Sequence, residues 1–190
     1  MPVFQMRNQP YQFKCLEYDV YQRALDAGDE ELLKRFLYEP LDSKGLSDIW
    51  VNESTTFTQH FKSATRTPDV SVWSNCLVLN SHAYQVLHRT IAADGEFLPL
   101  TIDGDDYFIF NVLTFGKEDP AQTEPEIFQG LELGILSLGF IEDDLTNKSV
   151  FKSEKQGCSL LYCTDVLKDL IEHHQLSGIH FDQDLLEIFI

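Results

Sequence analysis

The chain has 190 residues, 43% of them apolar, which is enough to form a single folded unit with a substantial core. It carries 31 Asp and Glu residues against 14 Lys and Arg residues, so its formal net charge is -17. This charge disfavours direct binding to nucleic-acid phosphates and to anionic membranes, and it favours a basic protein partner. Many acidic proteins use such charge only for solubility, so composition alone does not identify a binding protein.

The four cysteines are widely spaced and form no Cys-x-x-Cys pair, which argues against a zinc ribbon or a redox motif. We expect reduced and mostly buried thiols at Cys15, Cys76, Cys158 and Cys163. The first residues contain no long apolar segment of the signal-peptide kind, and no later segment approaches the ~20 apolar residues of a membrane span. We therefore expect a protein that works in the cytoplasm and has no membrane partner.

The first part of the chain, residues 1–69, predicts one strand and two helices. Aromatic residues in imperfect alternation indicate a strand at Tyr11–Tyr18, and a short helix is expected at Val20–Ala27. A second helix is predicted to start after an Asp29 cap and to end at Pro40. The apolar stripe of this helix consists of Leu32, Leu33, Phe36 and Leu37.

Residues 41–69 are rich in Ser and Thr and read as an irregular segment. One short strand is expected there, around Ile49–Val51. From Val70 onward the apolar pattern becomes regular again. We treat residues 70–190 as the core of the same single domain.

Two stretches of this second part repeat the order strand, capped helix, glycine and strand. Leu77–Leu98 can be laid over Leu160–Phe181 without a gap. The residues that coincide are the expected helix caps Ser81 and Thr164 and the expected helix stops Gly95 and Gly178. The stripes expected to be buried are Ala83, Tyr84, Leu87, His88 and Ile91 in the first helix and Val166, Leu167, Leu170 and Ile171 in the second.

Further strands are predicted after the first of these units. Glu96–Ile102 and Asp106–Leu113 flank Asp103-Gly104, a dipeptide typical of a hairpin turn. Alternation in the second strand separates two sets of side chains, and we expect both faces to be covered. The sets are Tyr107, Ile109 and Asn111 on one face and Phe108, Phe110 and Val112 on the other.

The remaining segments complete the predicted architecture. Residues 116–125 form a polar loop, Leu131–Ile141 is a strand interrupted by glycines, and Glu142–Lys148 is an acidic turn. Val150-Phe151 starts another short strand, and Leu185–Ile190 is expected to dock onto the core. The sequence therefore predicts an α+β fold, in which a mixed or antiparallel sheet packs with a few helices around two related strand–helix–strand units.

No residue pattern predicts a catalytic, cofactor or metal site. His173, His174 and His180 lack the i, i+4 spacing that places two metal ligands on one helix face. The carboxylates that begin at Asp103 lack the distal glutamate of an EF-hand loop, and Cys163 lies in an apolar strand that favours an inert thiol. The chain also contains no Gly-x-Ser-x-Gly elbow, phosphate-binding loop or dinucleotide fingerprint.

Several segments of the second part follow one another in a characteristic order. Trp73 precedes LVLNSHAYQVL, YFIFNVLTF follows at Tyr107–Phe115, VF lies at Val150-Phe151, and SLLYCTDVLKDLIEHHQLSGIHF covers Ser159–Phe181. This order resembles immunity family eleven of bacterial polymorphic toxin systems, long catalogued as a domain of unknown function. The resemblance covers roughly Val70–Phe181.

The resemblance implies a non-enzymatic antidote that is encoded beside a toxin and that binds and blocks it. An acidic inhibitor would associate rapidly with a basic nuclease and would place carboxylates where phosphates bind. The expected partner is therefore a basic toxin that acts in the cytoplasm. The candidate contact residues are acidic groups in turns: Asp103, Asp105, Asp106, Glu142, Asp143 and Asp144.

Two other interpretations stay open at this point. An acidic adaptor or regulatory module would share all of these features and would differ only in its partner. A small hydrolase would instead need a deep pocket in which carboxylates or histidines converge with perturbed pKa values. The sequence leaves the identity of the toxin and the oligomeric state open.

Overall fold

The computed structural model describes residues 1–187, which form five helices and twelve strands in three sheets. The helices are α1 (Val20–Ala27), α2 (Glu30–Asp42), α3 (Ser81–Ile91), α4 (Glu142–Leu145) and α5 (Asp165–His173). The strands are β1 (Val3–Asn8), β2 (Cys15–Glu17), β3 (Ser54–Thr58), β4 (Val70–Trp73), β5 (Cys76–Asn80), β6 (Gly95–Ile102), β7 (Asp105–Val112), β8 (Glu124–Phe128), β9 (Leu131–Ser137), β10 (Val150–Phe151), β11 (Leu161–Thr164) and β12 (Ile179–Asp182). The predicted α+β class is confirmed.

The sheets are mixed and antiparallel, as predicted. The largest has the strand order β2-β3-β6-β7-β5-β4, and its only parallel pair among the described residues is β3 with β6. A four-stranded sheet has the order β10-β11-β1-β12 and is antiparallel throughout. The third sheet is a two-stranded hairpin of β8 and β9.

The two strand–helix–strand units are β5-α3-β6 and β11-α5-β12, and both share one sheet arrangement. The strands on either side of each helix are not neighbours, because one antiparallel strand lies between them. That strand is β7 in the first unit and β1 in the second, and a further antiparallel strand, β4 or β10, pairs on the outside. The orders β4-β5-β7-β6 and β10-β11-β1-β12 are therefore equivalent, which confirms the predicted relationship between the units.

The main core joins the two large sheets through α3 and α5, which contact each other. Phe110 and Val112 point into this core. Tyr107 and Ile109 belong to a second core on the opposite side of the sheet, where α1 and α2 pack. Both faces of β7 are thus covered, as alternation along the strand predicts.

The N-terminal predictions needed several corrections. The strand expected at Tyr11–Tyr18 is shorter, since only β2 is extended, and β1 was not predicted. The helix Val20–Ala27 and the Asp29 cap are confirmed, because Asp29 Oδ1 accepts a hydrogen bond from Leu32 N at 3.0 Å. The expected helix end at Pro40 is wrong. Pro40 lies in the last turn of α2, two residues before the helix ends, where only the end of the backbone ladder is disturbed.

Other expected positions also differ. Leu37 is exposed, although it belongs to the predicted apolar stripe of α2. The strand expected at Ile49–Val51 is absent, and β3 follows it instead at Ser54–Thr58. Leu185 accepts a hydrogen bond from the Tyr162 hydroxyl at 3.0 Å, which supports docking of this segment. The rest of the predicted element, residues 188–190, lies outside the described residues.

The helix caps and stops of the two units are only partly as predicted. Asn80, not Ser81, caps α3, since its side chain accepts a hydrogen bond from Ala83 N at 2.8 Å. Thr164 occupies the cap position of α5 but donates its hydroxyl hydrogen bond to Lys148 instead of capping. Neither predicted glycine stops its helix. Gly95 is the first residue of β6 and Gly178 directly precedes β12, and at both positions a side chain would strike a neighbouring backbone.

The buried faces of α3 and α5 are narrower than predicted. In α3, Tyr84 and His88 are only half-buried, whereas Ala83, Leu87 and Ile91 are buried. In α5, Leu167 and Ile171 are buried and Leu170 is half-buried. Val166 is 55% exposed, so its assignment to the core was wrong.

We expect Leu167→Ala to reduce the free energy of unfolding by about 2–5 kcal/mol, since it removes a fully buried side chain from the main core. Val166→Ala, one residue earlier, is the matched control and should change it by less than about 0.5 kcal/mol. Urea denaturation of both variants checks this prediction. Equal losses in the two variants would show that the helix face is assigned incorrectly.

Candidate partner-binding surface

The first predicted acidic set lies on the β6–β7 hairpin. Asp103 and Gly104 form the turn with positive φ angles of 53° and 92°, as a two-residue hairpin turn requires. Asp103, Asp105 and Asp106 are all exposed. Asp103 accepts a long hydrogen bond of 3.4 Å from Phe57 N, whereas within residues 1–187 no hydrogen bond or ion pair engages the carboxylates of Asp105 and Asp106.

The second predicted set lies on α4, so the acidic turn expected at Glu142–Lys148 is in fact a short helix followed by a loop. Glu142 and Asp143 are exposed. Asp144 is half-buried and accepts hydrogen bonds from Lys148 Nζ at 2.6 Å and from Lys117 N at 2.8 Å. The Lys148 hydrogen bond is the main reason that the pKa of Asp144 lies below its usual value. Asp144 therefore has a structural role, and its charge is largely compensated.

The structure does not join the two acidic sets. No hydrogen bond or ion pair in the described part of the chain links one set to the other. The first set contacts β3 through Asp103, and the second contacts the loop before β8 through Asp144. Only the second set is thus next to the β8–β9 hairpin, which follows that loop and ends shortly before α4.

The β8–β9 hairpin exposes an unusual amount of apolar side-chain surface. Five large apolar side chains on it are between 56% and 67% exposed. They are Ile127, Phe128, Leu131, Leu133 and Leu136. Contiguous exposed apolar surface of this kind marks protein interaction sites more often than ordinary surface.

Acidic residues are interleaved with these apolar side chains. Glu124, Glu126 and Glu132 lie on the two strands and are all exposed. The stretch of chain from residue 118 to residue 147 contains eight Asp and Glu residues and no Lys or Arg. The hairpin and its base therefore form an apolar surface inside a strongly negative field.

The base of the hairpin is tied to the body of the protein. Thr123 is buried, and its hydroxyl donates to Gly139 O at 3.1 Å and accepts from Gly139 N at 3.2 Å. Ser137 links the two legs, because its hydroxyl donates to Gln122 O at 2.8 Å and accepts from Glu124 N at 3.1 Å. Phe140, which directly follows Gly139, is buried against Phe151 and Tyr162. The hairpin is thus held firmly at its base while its tip is exposed.

The outer edges of the β8–β9 hairpin can each pair with a further strand. Its strands pair only with each other among the described residues, so both outer edges have unpaired backbone groups. A two-stranded hairpin is only marginally stable in water unless its face packs against something else. A partner that covers these exposed apolar side chains would therefore stabilise the hairpin as well as bind it.

Sequence reasoning missed this surface. It placed 116–125 in a polar loop and predicted a single strand within Leu131–Ile141, so the partner strand β8 was not predicted. The signal that could have found it is the dipeptide Gln129-Gly130, which forms the turn with positive φ angles of 51° and 81°. Apolar residues on both sides of such a turn, with glutamates interleaved, are typical of a hairpin.

The buried ionisable groups elsewhere serve mainly structural contacts. Asp94 Oδ2 accepts hydrogen bonds from Ser149 N at 2.8 Å and Val150 N at 3.2 Å, while its burial raises its pKa. Lys152 is fully buried and donates to Pro40 O at 2.9 Å, and burial lowers its pKa. Burial raises the pKa of the Cys163 thiol, which disfavours a reactive thiolate.

The cysteines and the possible metal ligands add no reactive site. None of the four cysteines forms a disulfide, and three of them are buried. Within residues 1–187, no group of three or more His, Cys, Asp and Glu side chains has an arrangement that could hold a metal ion.

None of the five helices in this part of the chain combines the length and the apolar character that a bilayer span requires.

Comparison with known proteins found no match, either to a family model or to a curated protein. The resemblance to immunity family eleven therefore stays a prediction from the order of sequence segments.

Proposed function

We propose that this protein is a non-enzymatic immunity protein that binds and neutralises a basic toxin in the cytoplasm, with the β8–β9 hairpin as its principal contact. The observation that carries the proposal is the set of exposed apolar side chains on this hairpin, which are interleaved with carboxylates on two strands held firmly at their base. Apolar side chains supply most of the binding free energy in such an interface, and the charges supply rate and selectivity.

The charge distribution supports a basic partner. The formal net charge is -17, and the hairpin segment has no cation of its own to offset its carboxylates. A basic cleft of the kind that binds nucleic acid would be attracted over a distance of about one Debye length, roughly 8–10 Å at physiological salt. Asp143 at the base of the hairpin extends the same negative surface, whereas Glu142 beside it is paired with the N-terminal ammonium group of Met1.

An acidic adaptor would use the same hairpin with a different partner. The two functions differ in what the partner does to the cell. Co-expression of the protein with the product of the neighbouring gene should restore growth if that product is a toxin, whereas an adaptor would bind its partner without affecting viability.

We expect the triple variant Glu124→Lys, Glu126→Lys and Glu132→Lys to associate with the toxin at least about tenfold more slowly and with a weaker salt dependence. Stopped-flow association at several salt concentrations measures both quantities. The control reverses three exposed carboxylates elsewhere, Asp26, Glu30 and Glu154, and so has the same net charge. It should keep a rate close to that of the native protein.

The same measurement decides between the hairpin and the first predicted acidic set. Asp105→Lys with Asp106→Lys tests the β6–β7 turn, which the proposal does not require for binding. Equal slowing by the hairpin variant and by the charge-matched control would mean that only net charge matters, and the hairpin assignment would then be wrong.

A further inference from the structure

A separate cavity of about 130 Å³ lies between α1, α2 and the β4–β5 side of the largest sheet. Its lining is mainly apolar and aromatic, and includes Tyr18, Trp50 and Trp73. Cavities of roughly 150 Å³ hold a molecule the size of benzene, so this one has room for a group of about five or six heavy atoms.

The aromatic wall of the cavity is built by side chains that contact one another. The ring of Tyr18 lies with its centroid 5.9 Å from that of Trp50 and 5.6 Å from that of Trp73. Trp50 is fixed by a hydrogen bond from its indole nitrogen to Pro99 O at 2.7 Å. The rings are thus in place before any ligand arrives, which reduces the entropy lost on binding.

A cation next to the Tyr18 hydroxyl is already paired. Arg23 Nε lies 2.9 Å from Glu53 Oε1, and its Nη1 lies 3.4 Å from the Tyr18 hydroxyl. The Tyr18 hydroxyl in turn donates to Glu53 Oε2 at 3.2 Å. The positive charge of Arg23 is therefore offset by Glu53 and does not dominate the field in the cavity.

One carboxylate in the cavity lining has an oxygen without a partner. Glu39 is only 3% exposed, and its Oε2 accepts a hydrogen bond from Asn75 Nδ2 at 2.9 Å. Its Oε1 is buried and accepts no hydrogen bond from any described residue. An unsatisfied buried oxygen of this kind is costly, and a donor in the cavity would remove that cost.

The groups around Glu39 only partly offset its burial. Burial, the largest effect, raises the pKa of Glu39, and the Asn75 hydrogen bond, the attraction of Lys152 and the Asn111 amide lower it only in part. A second carboxylate, Glu96, adds negative charge on the same side and is held by Asn111 Nδ2 at 3.0 Å and by Leu46 N. A cation in the cavity would offset both burial and the repulsion from Glu96, and so would stabilise the charged form of Glu39.

We infer that this cavity binds an alkylammonium group, with its nitrogen facing Glu39 Oε1 and its alkyl part against Tyr18, Trp50 and Trp73. An ammonium donor satisfies the free carboxylate oxygen, and the aromatic side chains remove the alkyl part from water. The n-butylammonium ion has five heavy atoms and fits the volume. The same group ends a lysine side chain, so the ligand is either a free amine or a lysine of a partner protein.

Binding of a ligand in this cavity can be detected without an added fluorescent label. It contains two tryptophans, Trp50 and Trp73, and both line the cavity. Intrinsic tryptophan fluorescence of the full chain therefore measures occupancy of this cavity. The measurement uses the protein alone, so its outcome does not depend on the proposed toxin.

The experiment titrates the native protein with n-butylammonium and with butan-1-ol, which has nearly the same shape but no charge. We expect a saturable fluorescence change with n-butylammonium at about millimolar concentration, and at least about tenfold weaker binding of butan-1-ol. Two blocked tripeptides, with a central lysine or a central norleucine, distinguish the sources. Binding of the lysine peptide indicates a partner's lysine, and binding of the free amine alone indicates a small molecule.

Glu39→Gln should lower the affinity for n-butylammonium at least about tenfold and leave the weak binding of butan-1-ol unchanged. Glu132→Gln makes the same chemical change on the hairpin and should have no effect on either ligand. Equal responses to the amine and the alcohol, or no response to the amine, would overturn the inference. This comparison on the native chain decides the question even if Glu39→Gln fails to fold.

Discussion

Replacing Gly178 with alanine is expected to lower the free energy of unfolding by more than about 4 kcal/mol, the range that only a few mechanisms reach. Gly178 has a φ of 116°, which side chains rarely adopt, and an added Cβ would lie 2.2 Å from Val70 O and 2.5 Å from Pro68 Cβ. Neither neighbour can retreat easily, because Asp69 N and Val70 N both donate to Ser177 O, at 2.9 and 3.0 Å. The clash would therefore separate the second unit from β4.

Gly28→Ala provides the matched control for this result. Gly28 also has a positive φ, 65°, but an added Cβ there would meet no atom within 4 Å. Only the backbone cost of about 1–2 kcal/mol should then appear. Urea denaturation of both variants separates the cost of the positive φ angle, which both share, from the cost of the clash, which only Gly178→Ala has. A loss at Gly178 no larger than that at Gly28 would show that the approach to Val70 is not as tight as described.

The double variant Phe128→Ser and Leu131→Ser is expected to weaken toxin binding at least about 100-fold. These two residues face each other across the hairpin, next to its turn, and both are more than half exposed. Each is placed to act as an interface hot spot, whose truncation costs about 2 kcal/mol or more. Isothermal titration calorimetry with the purified toxin measures the loss.

The stability of the free protein separates binding from folding in this variant. Because both side chains are exposed, the free energy of unfolding should change by no more than about 0.5 kcal/mol for each. Leu25→Ser with Leu37→Ser is the control, since these side chains are 58% and 51% exposed on α1 and α2. Similar losses of affinity in the two double variants would contradict the assignment of the hairpin as the contact.

Local pattern predicted those elements whose stability depends mainly on nearby residues. The two units, the Asp29 cap and the Asp103-Gly104 turn were visible because each uses periodicity or a turn residue within a few positions. The β1 strand was not visible, because its extended form depends on β11 and β12, which lie about 160 residues further on. Pairing at such a distance leaves little trace in the local sequence.

The candidate sites were harder to predict than the fold for a related reason. The apolar residues of β9 have the composition of a core strand, and only the tertiary structure shows that nothing within residues 1–187 covers them. At the cavity, Glu39 and Asn75 of the lining and the nearby Lys152 come from three separate parts of the chain. Glu, Asn and Lys are common residues, and only their proximity in the folded chain indicates a binding site.

The central position of β1 in the second unit has a consequence for synthesis. At about 5–20 residues per second, β1 waits on the order of ten seconds or more before β11 and β12 exist to pair with it. During that time Phe4 and Met6, which end up buried in the main core, remain in contact with water. The strands β4 to β7 follow one another closely in the chain and can assemble first. The length of the intervening chain thus sets how long the four-stranded half is open to aggregation.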